Sequence, residues 1–187
     1  MKITDLLSKN AIQLNAKPVN KNETINKLVD LMMKNGNITD KEEYLKTVLK
    51  REEEGTTGIG LGIGIPHGKT KAVYKPGLAA MVIPNGVDFD ALDGKPAKLI
   101  FLIAAPDTKE NIHLEVLSRL SELLMDEKFR EKLINAKTPE EFLKYIDEAE
   151  KNKINKSNVN ENQYEILAIT SCPTGIAHTY MAAESLE

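Results

Sequence analysis

The chain carries two side chains placed to act as nucleophiles, His67 and Cys172. His67 sits between Pro66 and Gly68, at the end of the stretch Gly58-Ile59-Gly60-Leu61-Gly62-Ile63-Gly64-Ile65-Pro66-His67-Gly68. Near neutral pH an imidazole with its reference pKa of about 6.5 keeps a nitrogen lone pair, so it attacks an electrophile without a separate strong base. Cys172 lies in Ser171-Cys172-Pro173-Thr174-Gly175, between an apolar strand-like segment and the start of a helical pattern. Unpaired N–H groups at such a helix start favour a thiolate and bind phosphate. Both residues also have plain readings, an incidental surface histidine and an inert buried cysteine. An isolated Pro-His-Gly would favour the first of these.

Known phosphate motifs do not explain the pair. Gly68-Lys69-Thr70 looks like the end of a P-loop, yet the first glycine of that motif falls on Ile63, and no glycines here keep the G-x-G-x-x-G register. A phosphotyrosine-phosphatase loop wants arginine six residues after its cysteine, where this chain has His178.

The elements around His67 are expected to present it. Glycine at every second position leaves one strand face bare, while Ile59, Leu61, Ile63 and Ile65 form an apolar face with the period of a single strand. The bare face allows close approach by backbone or ligand. Pro66 lacks an N–H and keeps Ile65 extended, so the ladder should stop there and the imidazole should project from a strand end.

Upstream, Ala11 to Leu14 reads as a short strand, and Asn20 with Glu23 signals a helix running to Asn35. Thr39-Asp40-Lys41-Glu42 reads as a capping box for a second helix, which turns Tyr44, Leu45, Val48 and Leu49 inward, carries Arg51 in its last turn and ends before Gly55. Downstream, Leu78 to Ile83 is a strand followed by a Pro84-Asn85-Gly86 turn, and the apolar run Leu99 to Ile103 is a central strand covered on both faces. A helix from about Glu110 to Met125 places His113 in its first turn; a short helix follows Asp126, and Thr138-Pro139-Glu140-Glu141 opens another. The order predicts an α/β domain, a mixed β-sheet flanked by helices, over 1–150. Residues 151–163, rich in Asn and Lys, read as a linker, and 164–187 as a strand-loop-helix fragment, the truncated start of a second domain.

Composition removes whole classes of function. With 187 residues, net charge −3 and no tryptophan, the chain offers no basic, aromatic face for nucleic acid. One cysteine makes no internal disulfide, and no apolar run approaches the ~18 residues of a membrane span, so a soluble cytoplasmic protein is expected.

Residues 1 to about 150 resemble enzyme IIA of the fructose/mannitol class of the bacterial sugar phosphotransferase system. The resemblance is carried by Arg51-Glu52-Glu53-Glu54-Gly55-Thr56-Thr57, by Ile65-Pro66-His67-Gly68 and by Asn111-Ile112-His113-Leu114. After the linker, Cys172-Pro173-Thr174-Gly175-Ile176-Ala177-His178-Thr179 is similar to the phosphocysteine loop of a fructose-type enzyme IIB.

The resemblance implies a relay. The histidine-containing phosphocarrier protein phosphorylates His67, which passes the group to a IIB cysteine and thence to fructose or a related sugar entering through a membrane IIC partner. It also implies that Arg51 neutralises phosphate charge and that His113 donates beside it, with no cofactor and no metal. On residue type alone, Arg51 merely complements a helix dipole and His113 needs no role. The competing reading is a regulatory IIA-like module that chooses protein partners by the phosphorylation state of His67.

Overall fold

The computed structural model describes residues 2–108 and 112–157, with side chains described for 2–108 and 114–153. The elements are α1 (Ile3–Leu6), β1 (Leu7–Gln13), α2 (Lys21–Lys34), α3 (Lys41–Glu54), β2 (Gly58–Gly60), β3 (Ile63–Gly64), β4 (His67–Thr70), β5 (Gly77–Val87), β6 (Ala97–Pro106), α4 (Ile112–Leu124), α5 (Glu127–Asn135) and α6 (Pro139–Ser157). Six strands make one mixed sheet in the order β1-β5-β6-β3-β2, with β4 also paired to β6. β1 runs parallel to β5, β5 antiparallel to β6, and both β3 and β4 parallel to β6. The expected α/β architecture, a mixed sheet flanked by helices, is the one found.

Leu78–Ile83 and Leu99–Ala105 are buried at every position, not at alternate ones. Strands read this way when both faces of the sheet are covered. The helices supply the cover in two groups: α2 and α3 pack on each other and against β5, β6 and β4, while α4, α5 and α6 pack in sequence and against β6, β5 and β1. Phe101 of β6 meets Phe142 of α6 with ring centroids 6.0 Å apart, joining sheet to helix in the core.

Helix starts follow local chemistry. Asn20 accepts from the Glu23 N–H at 2.9 Å to cap α2, and Asp126 accepts from Phe129 at 3.1 Å to cap α5. For α3 the cap is Asp40, which accepts from Glu43 at 2.9 Å, one residue later than the box placed at Thr39. The Thr39 hydroxyl instead donates to the Ala72 carbonyl at 3.1 Å, tying the loop to the end of β4.

Other expectations change too. The glycine-rich stretch is not one strand: Gly60, Leu61 and Gly62 all have positive φ (87°, 55° and 76°), which folds β2 back on β3 as a tight antiparallel hairpin. Leu61 therefore leaves the apolar face and stands 40% exposed at the hairpin tip, whereas Ile59, Ile63 and Ile65 stay buried. The bare glycine face serves the protein's own chain: a Cβ at Gly58 would lie 2.6 Å from the Phe89 carbonyl oxygen, and one at Gly64 2.9 Å from the Phe89 ring. Finally, β5 runs straight through Pro84-Asn85-Gly86, with a register shift between Val82 and Val87, so the turn falls after Val87. At the other end of the chain, α6 continues past Glu150 to Ser157.

Candidate functional site

Pro66 interrupts the strand at the edge of β6, and His67 opens β4 beyond it, a strand beginning where a strand end was expected. The interruption has a cause: Pro66 has no N–H to give the ladder, but its carbonyl accepts from Ile103 at 3.0 Å, which lines up His67 with Ile103 in the resumed pairing. Gly68 and Thr70 of β4 are buried while His67 and Lys69 are half-buried, the alternation of a strand with one face covered. The cover is α3. A Cβ at Gly68 would meet Val48 at 2.9 Å and Tyr44 at 3.1 Å, so glycine is what lets the helix sit directly on the strand. Thr70 hydrogen-bonds to Glu43 on the same helix.

The His67 ring has a defined orientation. Its Nδ1 lies 3.0 Å from the Ile65 carbonyl oxygen. A carbonyl only accepts, so in the neutral ring Nδ1 carries the proton and Nε2 keeps the lone pair. Burial pushes the imidazole below the ordinary histidine range, the Ile65 hydrogen bond works against this, the positive charge of Arg51 lowers it further, and the Glu52 carboxylate raises it. Desolvation dominates, which keeps the ring neutral and nucleophilic at neutral pH.

Arg51 is placed by α3. Its Nη1 donates to the Gly55 carbonyl at 3.0 Å, closing the last turn of the helix over the loop that leads to β2. Since α3 packs on Gly68, the same contact that buries β4 brings the Arg51 charge to bear on His67. His113 lies in the first turn of α4, which packs on β6 beside β4; its side chain is outside the described residues. Cys172, the linker beyond Ser157 and the segment 164–187 are outside them too.

One pairing went unread in the sequence, that of Lys21 with Glu52. Glu52 looks like part of a solvated acidic run, yet its side chain is only 8% exposed and pairs at 2.6 Å with Lys21, itself 14% exposed. Glu52 also accepts from both the N–H and the hydroxyl of Thr57. Nothing in local spacing links Lys21 on α2 to Glu52 on α3. The available signal was the adjacency of Glu52 to Arg51 just before a Gly-Thr-Thr turn. No cluster of three or more His, Cys, Asp or Glu able to hold a metal ion occurs among the described residues, and no helix among them is long and apolar enough to cross a membrane.

The chain is similar to known proteins in sequence and in fold. Residues 5–149 match the family model described as phosphoenolpyruvate-dependent sugar phosphotransferase system, EIIA 2. Over 193 residues the chain is 42% identical to the PTS system fructose-specific EIIABC component of Bacillus subtilis (strain 168), an alignment covering 100% of this chain and 30% of that protein. The chain thus spans under a third of the length of that relative. It is 47% identical over 127 residues to the PTS system fructose-specific EIIA component of Haloferax volcanii, covering 68% of this chain and 82% of that one. Among solved structures, the nitrogen regulatory protein IIA-Ntr from Neisseria meningitidis superposes with a TM-score of 0.72 at 30% identity, covering 77% of this chain and 98% of that one. The IIA chain in the complex of enzyme IIAMTL and phosphorylated enzyme IIBMTL from Escherichia coli superposes with a TM-score of 0.67 at 29% identity, covering 76% and 99%.

Proposed function

The chain belongs to the EIIA 2 family of the phosphoenolpyruvate-dependent sugar phosphotransferase system, and on that premise we propose that Nε2 of His67 is the phosphoryl-accepting atom of a sugar phosphotransferase component. The observation that carries the assignment is the hydrogen bond between Nδ1 of His67 and the Ile65 carbonyl, which leaves Nε2 as the lone-pair nitrogen of a largely desolvated ring.

The donor is the histidine-containing phosphocarrier protein in its phosphorylated form. Nε2 attacks phosphorus in line as the donor's P–N bond breaks, and the new P–N bond leaves the His67 ring cationic with its Nδ1 proton held by Ile65. A thiolate of a IIB domain then attacks phosphorus, a P–S bond forms, and the P–N electrons return to Nε2. Such transfers depend on positioning and on charge stabilisation of the three equatorial oxygens. Arg51 supplies a positive charge that acts on the ring, and His113 a second donor from the start of α4. Cys172 is the acceptor carried on the same chain, and fructose or a related sugar, passing through membrane enzyme IIC, is the end of the relay. The fructose-specific names of the Bacillus and Haloferax relatives support that sugar class, and the Escherichia coli IIA–IIB complex supports a IIB partner.

Incubation with the phosphorylated phosphocarrier should label the chain in an acid-labile, alkali-stable manner, as a phosphoramidate requires. Undiminished labelling of His67→Ala would overturn the assignment. The likeness to the nitrogen regulatory protein favours a second reading, in which phospho-His67 selects protein partners. Phosphorylation-dependent binding of another protein, with no transfer to a complete fructose-type IIB domain, would support that reading over the relay.

A further inference from the structure

Glu52 uses both carboxylate oxygens on a single residue. Oε1 accepts the Thr57 backbone N–H at 2.8 Å, and Oε2 accepts the Thr57 hydroxyl at 2.6 Å. Lys21, in the first turn of α2, closes on Oε1 at 2.6 Å. Its ammonium also donates to Asp90 Oδ2 at 3.0 Å and to the Phe89 carbonyl at 3.3 Å, and lies 5.1 Å over the Phe89 ring. The start of α2, the end of α3 and the turn after β5 therefore converge on the loop from Gly55 to Thr57.

From Thr57 a short line of hydrogen bonds leads to the nucleophile. The Thr57 carbonyl accepts the Ile65 N–H at 3.0 Å, and the Ile65 carbonyl faces Nδ1 of His67 at 3.0 Å. Arg51 pins the other end of the same loop through Gly55. Desolvating an ion pair is expensive, and apolar residues often serve stability as well. This pair stands at the head of the line of hydrogen bonds that ends at the Ile65 carbonyl.

We propose that Lys21 and Glu52 are positioning residues for phosphoryl transfer: through Thr57 they hold the Ile65 carbonyl against Nδ1 of His67, locking the tautomer that presents Nε2 to phosphorus. The proposal rests on the phosphoryl-accepting role of His67. Neither residue touches the phosphoryl group; Glu52 acts on the ring through two intervening residues, and also by its charge, which opposes that of Arg51.

The test compares the wild-type chain with Glu52→Ala, Glu52→Gln and Thr57→Val by long-range ¹H–¹⁵N spectra of the His67 ring and by steady-state transfer from the phosphorylated phosphocarrier. In the wild type the Nδ1–H form dominates the neutral ring. Glu52→Ala shifts it toward the mixture of free imidazole and lowers kcat ~10- to 100-fold, the scale expected of a misplaced reacting group, with KM for the donor unchanged. Glu52→Gln keeps an oxygen acceptor for the Thr57 N–H and recovers most of both signals. Thr57→Val, close to isosteric, moves both in the same direction by less, and carries the test if Glu52→Ala does not fold. A folded Glu52→Ala or Thr57→Val with the wild-type tautomer and kcat overturns the proposal. Absence of phosphate from wild-type His67 would instead overturn the function on which it rests, while the tautomer spectra still judge the strut.

Discussion

The hydroxyl of Tyr44 donates a 2.8 Å hydrogen bond to the carbonyl of Ile103, the residue that lies beside His67 in the sheet. Helix α3 is thus bolted to the central strand at the level of the proposed nucleophile, and the bolt lies entirely inside the protein: Tyr44 has no exposed surface. Burial pushes its phenol far above the ordinary tyrosine range, so it is protonated and a donor at neutral pH.

Tyr44→Phe should therefore cost about 1–2 kcal/mol, the price of a buried hydrogen bond with one partner removed. For a domain of this size that lowers the melting temperature by about 3–6 °C. Calorimetry at neutral pH checks it, and a melting temperature equal to wild type would show the bond to be idle.

Gly68→Ala acts on the same contact by overfilling it. The added methyl meets Val48 at 2.9 Å and Tyr44 at 3.1 Å, both on α3, so the helix must move or the strand must bend. Overpacking of this kind costs about 1–3 kcal/mol. Because α3 also carries Arg51, phosphoryl uptake by His67 should fall by more than in Tyr44→Phe at matched loss of stability. Equal uptake at equal stability would argue that Arg51 does not depend on this packing.

The pH dependence has a definite sign. His67 in the folded state titrates below its ordinary value, chiefly through burial, so between the folded and unfolded pKa values the unfolded chain binds more protons. The contribution to stability is present above about pH 6.5 and is lost as the pH falls through the folded value. An NMR titration of the ring should show a midpoint below 6.5, and phosphoryl uptake should persist on the acid side of the ordinary histidine range. Arg51→Gln removes a charge that lowers the midpoint and should raise it. A downward or absent change would show that the Arg51 charge does not act on the ring.

Asp40→Ala should destabilise α3 by about 1 kcal/mol, since Asp40 supplies the N-cap acceptor. Urea unfolding of Asp40→Ala and Thr39→Ala separates the cap at Asp40 from the one placed by the sequence box. The α3 helical signal should fall first in Asp40→Ala, and a larger effect at Thr39 would restore the sequence reading.

How far the fold could be read in advance depended on how local each determinant is. The caps at Asn20 and Asp126 and the apolar run Leu99 to Ile103 are settled within a few residues, and their elements were legible. The hairpin at Gly60-Leu61-Gly62 was not, because alternating glycine and apolar residues fit either a strand or a turn with positive φ, and only the packing of Phe89 against Gly64 selects between them. Likewise Pro84-Asn85-Gly86 is a fair turn signal that the antiparallel pairing with β6 absorbs as an irregularity, resuming at Val87 and Ala97. At the site, His67 stood out through its own neighbours, whereas Arg51 needed a family resemblance to be singled out. The Lys21–Glu52 pair joins two helices and left no local trace.

The break at Pro66 has a consequence for how other proteins meet this one. Strand β4 offers four residues of backbone along its outer side, preceded by a residue with no amide hydrogen and bearing a lysine midway. So brief and charged a margin is a poor template for an incoming strand. Under the proposed function, the proteins that meet His67 would then be recognised by shape and side-chain chemistry around the ring, a mode of contact that does not tie the site to one partner's backbone.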